Sequence, residues 1–486
     1  MSTHITHVDT IIIGAGPAGS AAGLTLTDAG RECLILDKQD VAGGLARTIR
    51  RSDACFDVGP HRFFTKSDEV LGTWQRTLDH DLISVDRLTR ILYRGRFFRY
   101  PLAPANALLN LGIFNSIHAF SSYFLRRARL LAAPRDPASF EDWVSDNFGR
   151  VLYEAFFKHY TEKVWGIPCH EISPDWASQR IKGLNLIEAA VSALRGNSKS
   201  RAKTLTDRFL YPRCGSGMMY EKMIESTVSK GGHYRPGTTV KSIRRKGADW
   251  IVTCGTQDGC RQEVFCGNVV SSMPLSELLC MLSPAPPRDA VDAALSLKYR
   301  NHYCVNLLVN GEKNPFSDQW IYVHSPDMQA GRIANYANFS HELQQSANLF
   351  PLTVEFFSST GDAVDVLGDS QRIEMAVSEL KKIGLLKSNH RIEDAFVVFS
   401  EKAYPVLAHG YEKAIPVIKS YLSTLKGLQT IGRTGLFQYN NQDHSIMTGI
   451  LAARNILGGD YDVWSVNVDA EYHESAPVQD ICSAEP

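Results

Sequence analysis

The feature that most constrains the fold is a glycine-rich turn near the N-terminus, Gly14-Ala-Gly-Pro-Ala-Gly19. An apolar run at residues 8–13, typical of a buried parallel strand, precedes the turn. Small residues at 20–28, suited to a helix, follow the turn, and a second apolar run then ends at Asp37. This order of strand, glycine turn, helix and strand predicts a Rossmann-type βαβ unit.

Each glycine of this turn has a physical role in binding a dinucleotide. Gly14 permits the tight turn, Gly16 lets the backbone approach a pyrophosphate, and Gly19 allows the helix to pack closely on the strand. The helix N-terminus then directs its N–H groups and its dipole at the phosphates. Asp37, about 20 residues further on, is placed to accept hydrogen bonds from ribose hydroxyls. The unit alone does not distinguish NAD from FAD.

Composition favours a soluble, globular protein. The 486 residues are 44% hydrophobic, which is enough for a large core, and the formal net charge is zero. A zero net charge argues against nucleic acid as the main partner, because proteins that bind a phosphate backbone usually carry a basic excess.

Targeting segments and metal sites are not expected from the sequence. The N-terminus lacks a basic segment followed by an apolar one, so no signal peptide is predicted. Residues 10–22 are broken by glycine and proline, and residues 102–133 contain asparagines and arginines that favour a buried or surface-lying helix over a membrane span. Cys254, Cys260 and Cys266 are spaced too widely for a zinc knuckle and have no histidine nearby. We expect no metal and a cytoplasmic location with reduced thiols.

Two further glycine-containing segments favour FAD over NAD. Gly43 and Gly44 follow the acidic strand end with Arg47 close behind, which suits a second backbone approach with a cation near the phosphates. Near the other end, Gly432 and Arg433 precede a helix whose N-terminus could stabilise negative charge on reduced flavin. The remaining predicted cofactor-binding residues are Gly59, Pro60, His61, Val240, Asn441, Gln442, Asp443 and Ser445.

With these segments in place, the sequence resembles an FAD-dependent superfamily that includes amine oxidases, protoporphyrinogen oxidases and UDP-galactopyranose mutases. The resemblance covers residues 8–458 and is strongest to the mutases, especially to bacterial mutase-like proteins often labelled protoporphyrinogen oxidase. It implies an α/β fold with non-covalent FAD, in which a helical lobe and an antiparallel sheet cover the flavin. The expected helical lobe is 102–204, with long amphipathic stretches such as 140–160. The expected sheet is 296–395, and one of its strands is expected at 332–339. The expected Rossmann-type FAD-binding domain is discontinuous and comprises residues 1–101, 205–295 and 396–486.

Several segments are similar to the substrate side of the mutases. The Gly59-Pro-His61 loop resembles the one that lies against the flavin, and Tyr160-Thr-Glu-Lys-Val-Trp165-Gly resembles a helix end beside it. One departure is Phe339, in Asn-Phe-Ser, where mutases often have a tyrosine. The residues that the resemblance implies for catalysis or for holding a diphosphate are Arg180, Arg332, His61, Tyr322, Tyr404 and Tyr439. Arginine supplies the fork geometry that a diphosphate needs, and tyrosine adds hydrogen-bond donors without charge.

The resemblance implies pyranose/furanose isomerisation of a nucleotide-diphosphate sugar through an adduct between reduced flavin N5 and the sugar. A nucleotide sugar is therefore the expected small-molecule substrate, and NAD(P)H stays open as the reductant. The alternative is an oxidoreductase of the protoporphyrinogen oxidase or amine oxidase type, which transfers hydride from a small organic substrate to FAD. The matched residues also have structural interpretations, as surface ion pairs for the arginines and as core residues for the tyrosines.

Overall fold

The computed structural model describes residues 6–100, 110–174, 176, 208–256 and 259–467, and everything below refers to these residues. The strands are β1 (His7–Ile13), β2 (Cys33–Leu36), β3 (Thr48–Arg51), β4 (Ala54–Asp57), β5 (Leu82–Asp86), β6 (Thr89–Tyr93), β7 (Arg96–Arg99), β8 (Arg208–Pro212), β9 (His233–Arg235), β10 (Thr238–Lys246), β11 (Asp249–Thr256), β12 (Arg261–Ser271), β13 (Leu282–Ser283), β14 (Tyr299–Asn310), β15 (Trp320–Val323), β16 (Arg332–Asn335), β17 (Leu349–Ser358), β18 (Arg391–Pro405) and β19 (Leu428–Thr430).

The helices surround the two large sheets that these strands form. They are α1 (Pro17–Asp28), α2 (Asp68–Leu78), α3 (Ile113–Ala132), α4 (Phe140–Phe148), α5 (Arg150–Tyr153), α6 (His159–Trp165), α7 (Gly217–Ser229), α8 (Leu275–Met281), α9 (Arg288–Ser296), α10 (Asp369–Lys382), α11 (Tyr411–Ser423), α12 (Gly432–Gly435) and α13 (Gln442–Ile456). A π-helical turn, Glu154–Lys158, joins α5 to α6. In the part of the chain that the structure covers, no helix combines the length and apolar character needed to cross a membrane.

The first sheet has the strand order β13-β10-β11-β12-β1-β2-β9, with β19 also paired to β12. Its centre is parallel, since β1 lies between β12 and β2 with all three strands running the same way. Strand β1 is buried on both faces: Ile11 and Ile13 enter one core, and Ile12 enters the other. This arrangement confirms the predicted Rossmann-type sheet and brings the carboxyl ends of β1 and β2 to one edge.

Helices α1 and α13 pack against each other on one face of this sheet. A Cβ at Gly449 would collide with the carbonyl oxygen of Ala18, so the two helices approach at backbone distance. The first helix and the last long helix of the described chain therefore form one layer, and their N-termini lie at the same edge of the sheet.

The second sheet has the order β18-β14-β17-β16-β15-β6-β7 and is antiparallel except where β15 pairs with β6. Strand β14 lies between β18 and β17 and is buried along almost its whole length. Strands β6 and β7 come from before position 101, and β18 extends past position 395, so the sheet crosses two of the expected lobe boundaries. The exact division of the chain into lobes stays a prediction.

Two local expectations differ from the structure. Residues 140–160, expected as one amphipathic helix, break at Gly149, whose φ of +80° ends α4 before α5 begins. The strand expected at 332–339 stops at Asn335, and a 3₁₀ turn, Tyr336–Asn338, follows. Asn335 starts that turn itself, because its side chain accepts a hydrogen bond from the Ala337 N–H group.

Candidate active site

A cavity of about 510 Å³ runs between the two sheets. Most of the site residues predicted from the sequence line it, although they come from segments more than 400 positions apart. The predicted residues on its wall are Gly14, Gly16, Asp37, Gly44, Arg47, Gly59, Pro60, His61, Val240, Tyr322, Arg332, Tyr404, Gly432, Arg433, Tyr439, Asn441, Gln442 and Ser445.

Four predicted residues are not on this wall. Gly19 lies inside the βαβ unit, where a Cβ would collide with the Gly14 carbonyl, so only glycine permits this packing. Gly43 has a φ of +109° and donates its N–H to the Ala15 carbonyl at 2.8 Å, which closes the turn before Gly44. Asp443 is buried in the first turn of α13. Arg180 lies outside the described residues, so its role stays a prediction.

At one end of the cavity, two glycine turns face each other. A Cβ at Gly16 would lie 3.6 Å from the Cα of Gly44, so a side chain on either glycine would enter the gap between them. Helix α1 begins at this gap, and no side chain caps its N-terminus. A backbone cradle at an uncapped helix N-terminus suits a diphosphate, and in this respect the chain fits a dinucleotide cofactor such as FAD.

Asp37 and Arg47 supply the charges beside this cradle. The Asp37 carboxylate accepts hydrogen bonds from the Ala15 N–H group at 2.6 Å and the Gln39 N–H group at 2.8 Å. Burial raises the pKa of Asp37, and these two N–H groups oppose the rise. The buried Arg47 donates to the Gly44 carbonyl at 2.8 Å, and burial lowers its pKa. The backbone cradle is therefore flanked by a cation, Arg47, and by a carboxylate, Asp37, at the end of β2.

The predicted flavin-side loop, 58–61, is anchored by a buried carboxylate immediately before it. Asp57 accepts hydrogen bonds from the Thr48 hydroxyl and the Tyr211 hydroxyl, each at 2.6 Å, and from the Ser216 N–H group at 3.1 Å. Its carbonyl accepts another from the Tyr336 hydroxyl at 2.7 Å. Burial raises the pKa of Asp57 to about 7. Because every partner of the carboxylate is a donor, the hydrogen-bond pattern favours its ionised form.

His61 in this loop is held in one tautomer. Its Nε2 lies 2.9 Å from the Leu45 carbonyl oxygen and 3.1 Å from the Val58 carbonyl oxygen, and both can only accept. Nε2 therefore carries the proton. Burial lowers the pKa of His61 to about 4, and the nearby Arg433 and Arg332 lower it as well. The imidazole is neutral at pH 7.

Opposite the loop, four neighbouring strands place polar side chains in one row. Tyr322 on β15 pairs with Arg332 on β16, and Arg332 pairs with Glu355 on β17. Glu355 in turn pairs with Cys304 on β14. Residues directly opposite each other in a sheet project to the same face, so the row forms a continuous polar line in an apolar sheet.

Arg332 is bound within this row but keeps part of its donor capacity. Both of its hydrogen bonds to described residues leave from Nη2, to Glu355 Oε2 at 2.5 Å and to the Tyr404 hydroxyl at 3.0 Å. In the part of the chain that the structure describes, neither the buried Nε of Arg332 nor the buried Oε1 of Glu355 has a hydrogen-bond partner. Buried polar groups are rarely left unpaired, so this edge of the cavity suits a bound polar group.

Glu355 also accepts a hydrogen bond from His302 Nε2 at 2.7 Å and is completely buried. Burial alone would raise the pKa of Glu355, but Arg332 and His302 lower it, and the net shift is downward. Glu355, His302 and Cys304 have potential metal ligand atoms within 4.8 Å of one another. Glu355 Oε2 already accepts hydrogen bonds from both His302 Nε2 and Arg332 Nη2, so we interpret these side chains as a hydrogen-bonded cluster and not as a metal site.

Aromatic rings and a second cation complete the wall. Tyr404 and Tyr439 stack with ring centroids 5.8 Å apart, and Trp165 meets both rings edge-on. The Arg433 guanidinium lies 5.2 Å from the Tyr404 ring and 4.9 Å from the Tyr439 ring, and its Nε donates to the Asn440 carbonyl. The Tyr404 side chain therefore stands between two arginines.

Two observations go beyond what the sequence predicted. Glu355 and His302 are not among the residues that the sequence predicts for the site. A single carboxylate inside the apolar strand β17 is nevertheless a signal for Glu355, because a fully buried acid needs a partner. Phe339, the departure from the mutase pattern, packs against Tyr211 at 5.1 Å and does not line the cavity. The departure at Phe339 therefore removes no hydroxyl from the described cavity wall.

The chain is similar in sequence to flavin-dependent proteins. Residues 17–457 match the family model of flavin-containing amine oxidoreductases. A probable UDP-galactopyranose mutase from Klebsiella pneumoniae is 27% identical over 177 residues, which are 33% of this chain and 42% of that protein. The matched stretch thus spans less than half the length of that curated relative.

Two solved structures share the fold over nearly the whole chain. A reduced UDP-galactopyranose mutase superposes with a TM-score of 0.82 at 21% identity, covering 95% of this chain and 98% of that one. A putative protoporphyrinogen oxidase from Exiguobacterium sp. 255-15 gives a TM-score of 0.68 at 15% identity, covering 94% and 100%. At these low identities, the superpositions show a common fold.

Proposed function

The chain belongs to the flavin-containing amine oxidoreductase family, and from this membership we propose that it is an FAD-dependent enzyme that acts on a nucleotide-diphosphate sugar. The proposed reaction exchanges the pyranose and furanose forms of the sugar ring. It uses the flavin in its reduced state and involves no net oxidation or reduction. The likeness to a UDP-galactopyranose mutase in sequence and in fold supports this choice.

The observation that carries the proposal is the incompletely paired Arg332 on the cavity wall. Its Nη2 is fixed by Glu355 and Tyr404, while neither its Nη1 nor its buried Nε donates to a described residue. A guanidinium fixed on one side and unpaired on another is preorganised for an anion with several acceptor oxygens. A diphosphate is such an anion.

The charge of the cavity wall supports the same substrate class. Cations outnumber carboxylates among the described residues of the wall, even when the Glu355 carboxylate paired with Arg332 is counted. The cations are Lys38, Arg47, Arg62, Arg332, Lys402 and Arg433, and the carboxylates on the wall are Asp37, Glu277 and Glu401. Positive charge in a partly enclosed cavity favours anionic ligands over cationic ones.

In the proposed mechanism the side chains bind and orient the substrate. Arg332 would hold the diphosphate and stabilise the charge that develops on it as it leaves, with Tyr404 and Tyr322 donating hydroxyl hydrogen bonds. Arg433 and Tyr439 would complete the anion site. The neutral His61 would fix the loop against the flavin without adding charge, because its proton is committed to two carbonyls. Arg180 is retained in the proposal as a second diphosphate ligand.

Reduced FAD, when bound, would supply the nucleophile for the sugar carbon, and the protein's contribution is positioning and charge. The stacked Tyr404 and Tyr439 rings, with Trp165 against their edges, would exclude water from the sugar. Exclusion of water strengthens the hydrogen bonds of Arg332 to the departing diphosphate.

One feature favours a second candidate, oxidation of a small amine by hydride transfer to FAD. The facing Tyr404 and Tyr439 rings, inclined at 29° to each other, could flank an amine, as expected of an aromatic cage. Arg433 already lies against both rings, however, and Arg332 contacts one of them. A cationic substrate would meet two like charges there, so an anionic substrate suits this wall better.

The test is a titration of the purified, chemically reduced protein with UDP and with dTDP under anaerobic conditions, followed by the flavin spectrum. We expect a saturable change that Arg332→Ala weakens roughly tenfold or more, since a hydrogen bond to a charged group contributes about 1.5–3 kcal/mol. Arg213→Ala is the matched control, because Arg213 forms an exposed ion pair with Glu342 and does not line the cavity.

Bound flavin is quantified in each variant before titration, so that loss of cofactor is not mistaken for loss of nucleotide binding. If neither nucleotide changes the spectrum of the wild-type protein, the mutase proposal fails. Reduction of oxidised flavin by a primary amine would then establish the second candidate.

A further inference from the structure

Helix α3 presents an apolar stripe to solvent. Phe114, Ile117, Phe124, Leu125 and Leu131 recur at helical spacing along it, and each is between 59% and 87% exposed. Ser121 and Ala128, also exposed, continue the same line between them. Single exposed hydrophobic residues are ordinary, but a stripe that runs the length of a 20-residue helix marks an interaction surface.

The opposite face of α3 is already used for packing within the protein. Ala119 and Tyr123 are buried. The helix lies so close to Gly149 that a Cβ added to Gly149 would be 2.8 Å from the backbone nitrogen of Tyr123. Arg126 on this side pairs with Asp146 at 2.5 Å. The helix is therefore docked by one face, and the stripe is a second apolar face that the described residues leave uncovered.

Charge indicates what covers the stripe. Helix α3 contains no aspartate or glutamate, and Arg127 and Arg129 are exposed on either side of the stripe. Neither arginine forms an ion pair with a described residue. In a two-fold symmetric pair of chains the same patch would meet itself, and because α3 contains no acid it would offer these arginines no carboxylate. An anionic surface complements them instead.

We propose that helix α3 is a membrane-surface anchor that lies in the plane of an anionic lipid bilayer. The phenylalanine and leucine side chains enter the boundary between headgroups and acyl chains, and Arg127 and Arg129 contact lipid phosphates. At 1.5 Å per residue the helix lies along the surface for about 30 Å. This proposal is independent of the reaction at the flavin cavity.

The experiment is co-sedimentation of the full-length, flavin-loaded protein with vesicles, either of phosphatidylcholine alone or of phosphatidylcholine and phosphatidylglycerol in equal parts. We expect binding to the mixed vesicles, weaker at high salt, and little binding to the neutral ones. Replacing Phe114 and Leu131 by serine should weaken binding on the order of tenfold per site, because each large side chain loses its transfer from water.

Val366→Ser is the matched control, because Val366 is 70% exposed but lies outside α3. The charge reversal Arg127→Glu/Arg129→Glu should abolish the preference for anionic vesicles. Retained flavin absorbance shows that each variant is folded. Absence of binding to either vesicle, or binding unchanged by the serine pair, would overturn the proposal. A dimer in light scattering that the serine pair dissociates would assign the stripe to a second copy of this chain and overturn it as well.

Discussion

The ion pair between Glu355 and Arg332 makes a quantitative prediction through the substitution Glu355→Gln. Glutamine has the same shape, and its amide oxygen can still accept the hydrogen bonds from His302 Nε2 and Arg332 Nη2. The amide nitrogen then takes the place of Oε1, which has no hydrogen-bond partner among the described residues. The substitution therefore removes a charge and leaves the local geometry intact.

The expected cost follows from burial. Glu355 is fully buried and the Arg332 side chain is 16% exposed, so the variant leaves a nearly buried cation without its counter-charge. Breaking a buried pair in this way costs about 3–5 kcal/mol, and with both hydrogen bonds kept we expect about 3 kcal/mol. The reference is Glu393→Gln, an exposed acid that accepts one hydrogen bond from Asn310 and should cost less than about 0.5 kcal/mol.

The pH dependence gives an independent check. The pKa of Glu355 is lowered in the folded protein, so its contribution to the free energy of unfolding is present above the ordinary glutamate value of 4.5 and is lost as pH falls through the lowered value. Guanidinium unfolding of wild type and variant, followed by tryptophan fluorescence, should give a difference that is large at pH 7 and shrinks below about pH 4.5. A difference as small as that of Glu393→Gln, or one independent of pH, would refute this account of the pair.

Three further predictions concern the cofactor side. Asp57→Asn should cost about 2–3 kcal/mol of unfolding free energy in calorimetry and release flavin faster, because the amide NH₂ of asparagine would face a group that donates a hydrogen bond to the carboxylate. A stability equal to that of the wild type would contradict the hydrogen-bond pattern. Gly16→Ala should fold with normal stability but retain far less FAD after gel filtration, because its Cβ enters an open cradle, whereas Gly19→Ala should fail to fold because its Cβ meets the Gly14 carbonyl. Equal behaviour of the two would argue against the cradle. His61, with its pKa lowered to about 4, should show no titration of its ring signals in NMR between pH 5 and 8, and a midpoint near 6.5 would contradict the assigned burial.

Much of the dinucleotide half of the site could be predicted because its signals are local. The turn from Gly14 to Gly19 needs glycine for reasons that act within a few residues, and the apolar run of β1 reports burial on both faces of a parallel sheet. Such constraints are readable without knowing what packs against them.

The substrate half was less accessible because it depends on strand register. Arg332 and Tyr322 were expected from a family resemblance, but their alignment with Glu355 arises only when three strands pair in one register. His302 reaches the same carboxylate from a strand more than 50 positions away in sequence. Nothing local in the sequence encodes that convergence, although the isolated acid in an apolar strand indicated that a partner existed.

The end of the predicted helix at Gly149 shows a different limit. The amphipathic pattern continues through residues 140–160, and the break depends on a left-handed glycine that lets the backbone of Tyr123 approach. Periodicity reports which face is buried, and it does not report where a neighbouring helix crosses.

The packing of α1 on α13 has a consequence for how the protein is made. The glycine turn is translated before its partners, because the strand β12 that flanks β1 and the helix that packs on α1 through Gly449 follow it by hundreds of codons. The apolar strand β1 therefore lacks these partners until translation has passed Gly449. Flavin capture is consequently a late event in biogenesis, and a translation product truncated before Gly449 is expected to be a client of chaperones and proteases without cofactor.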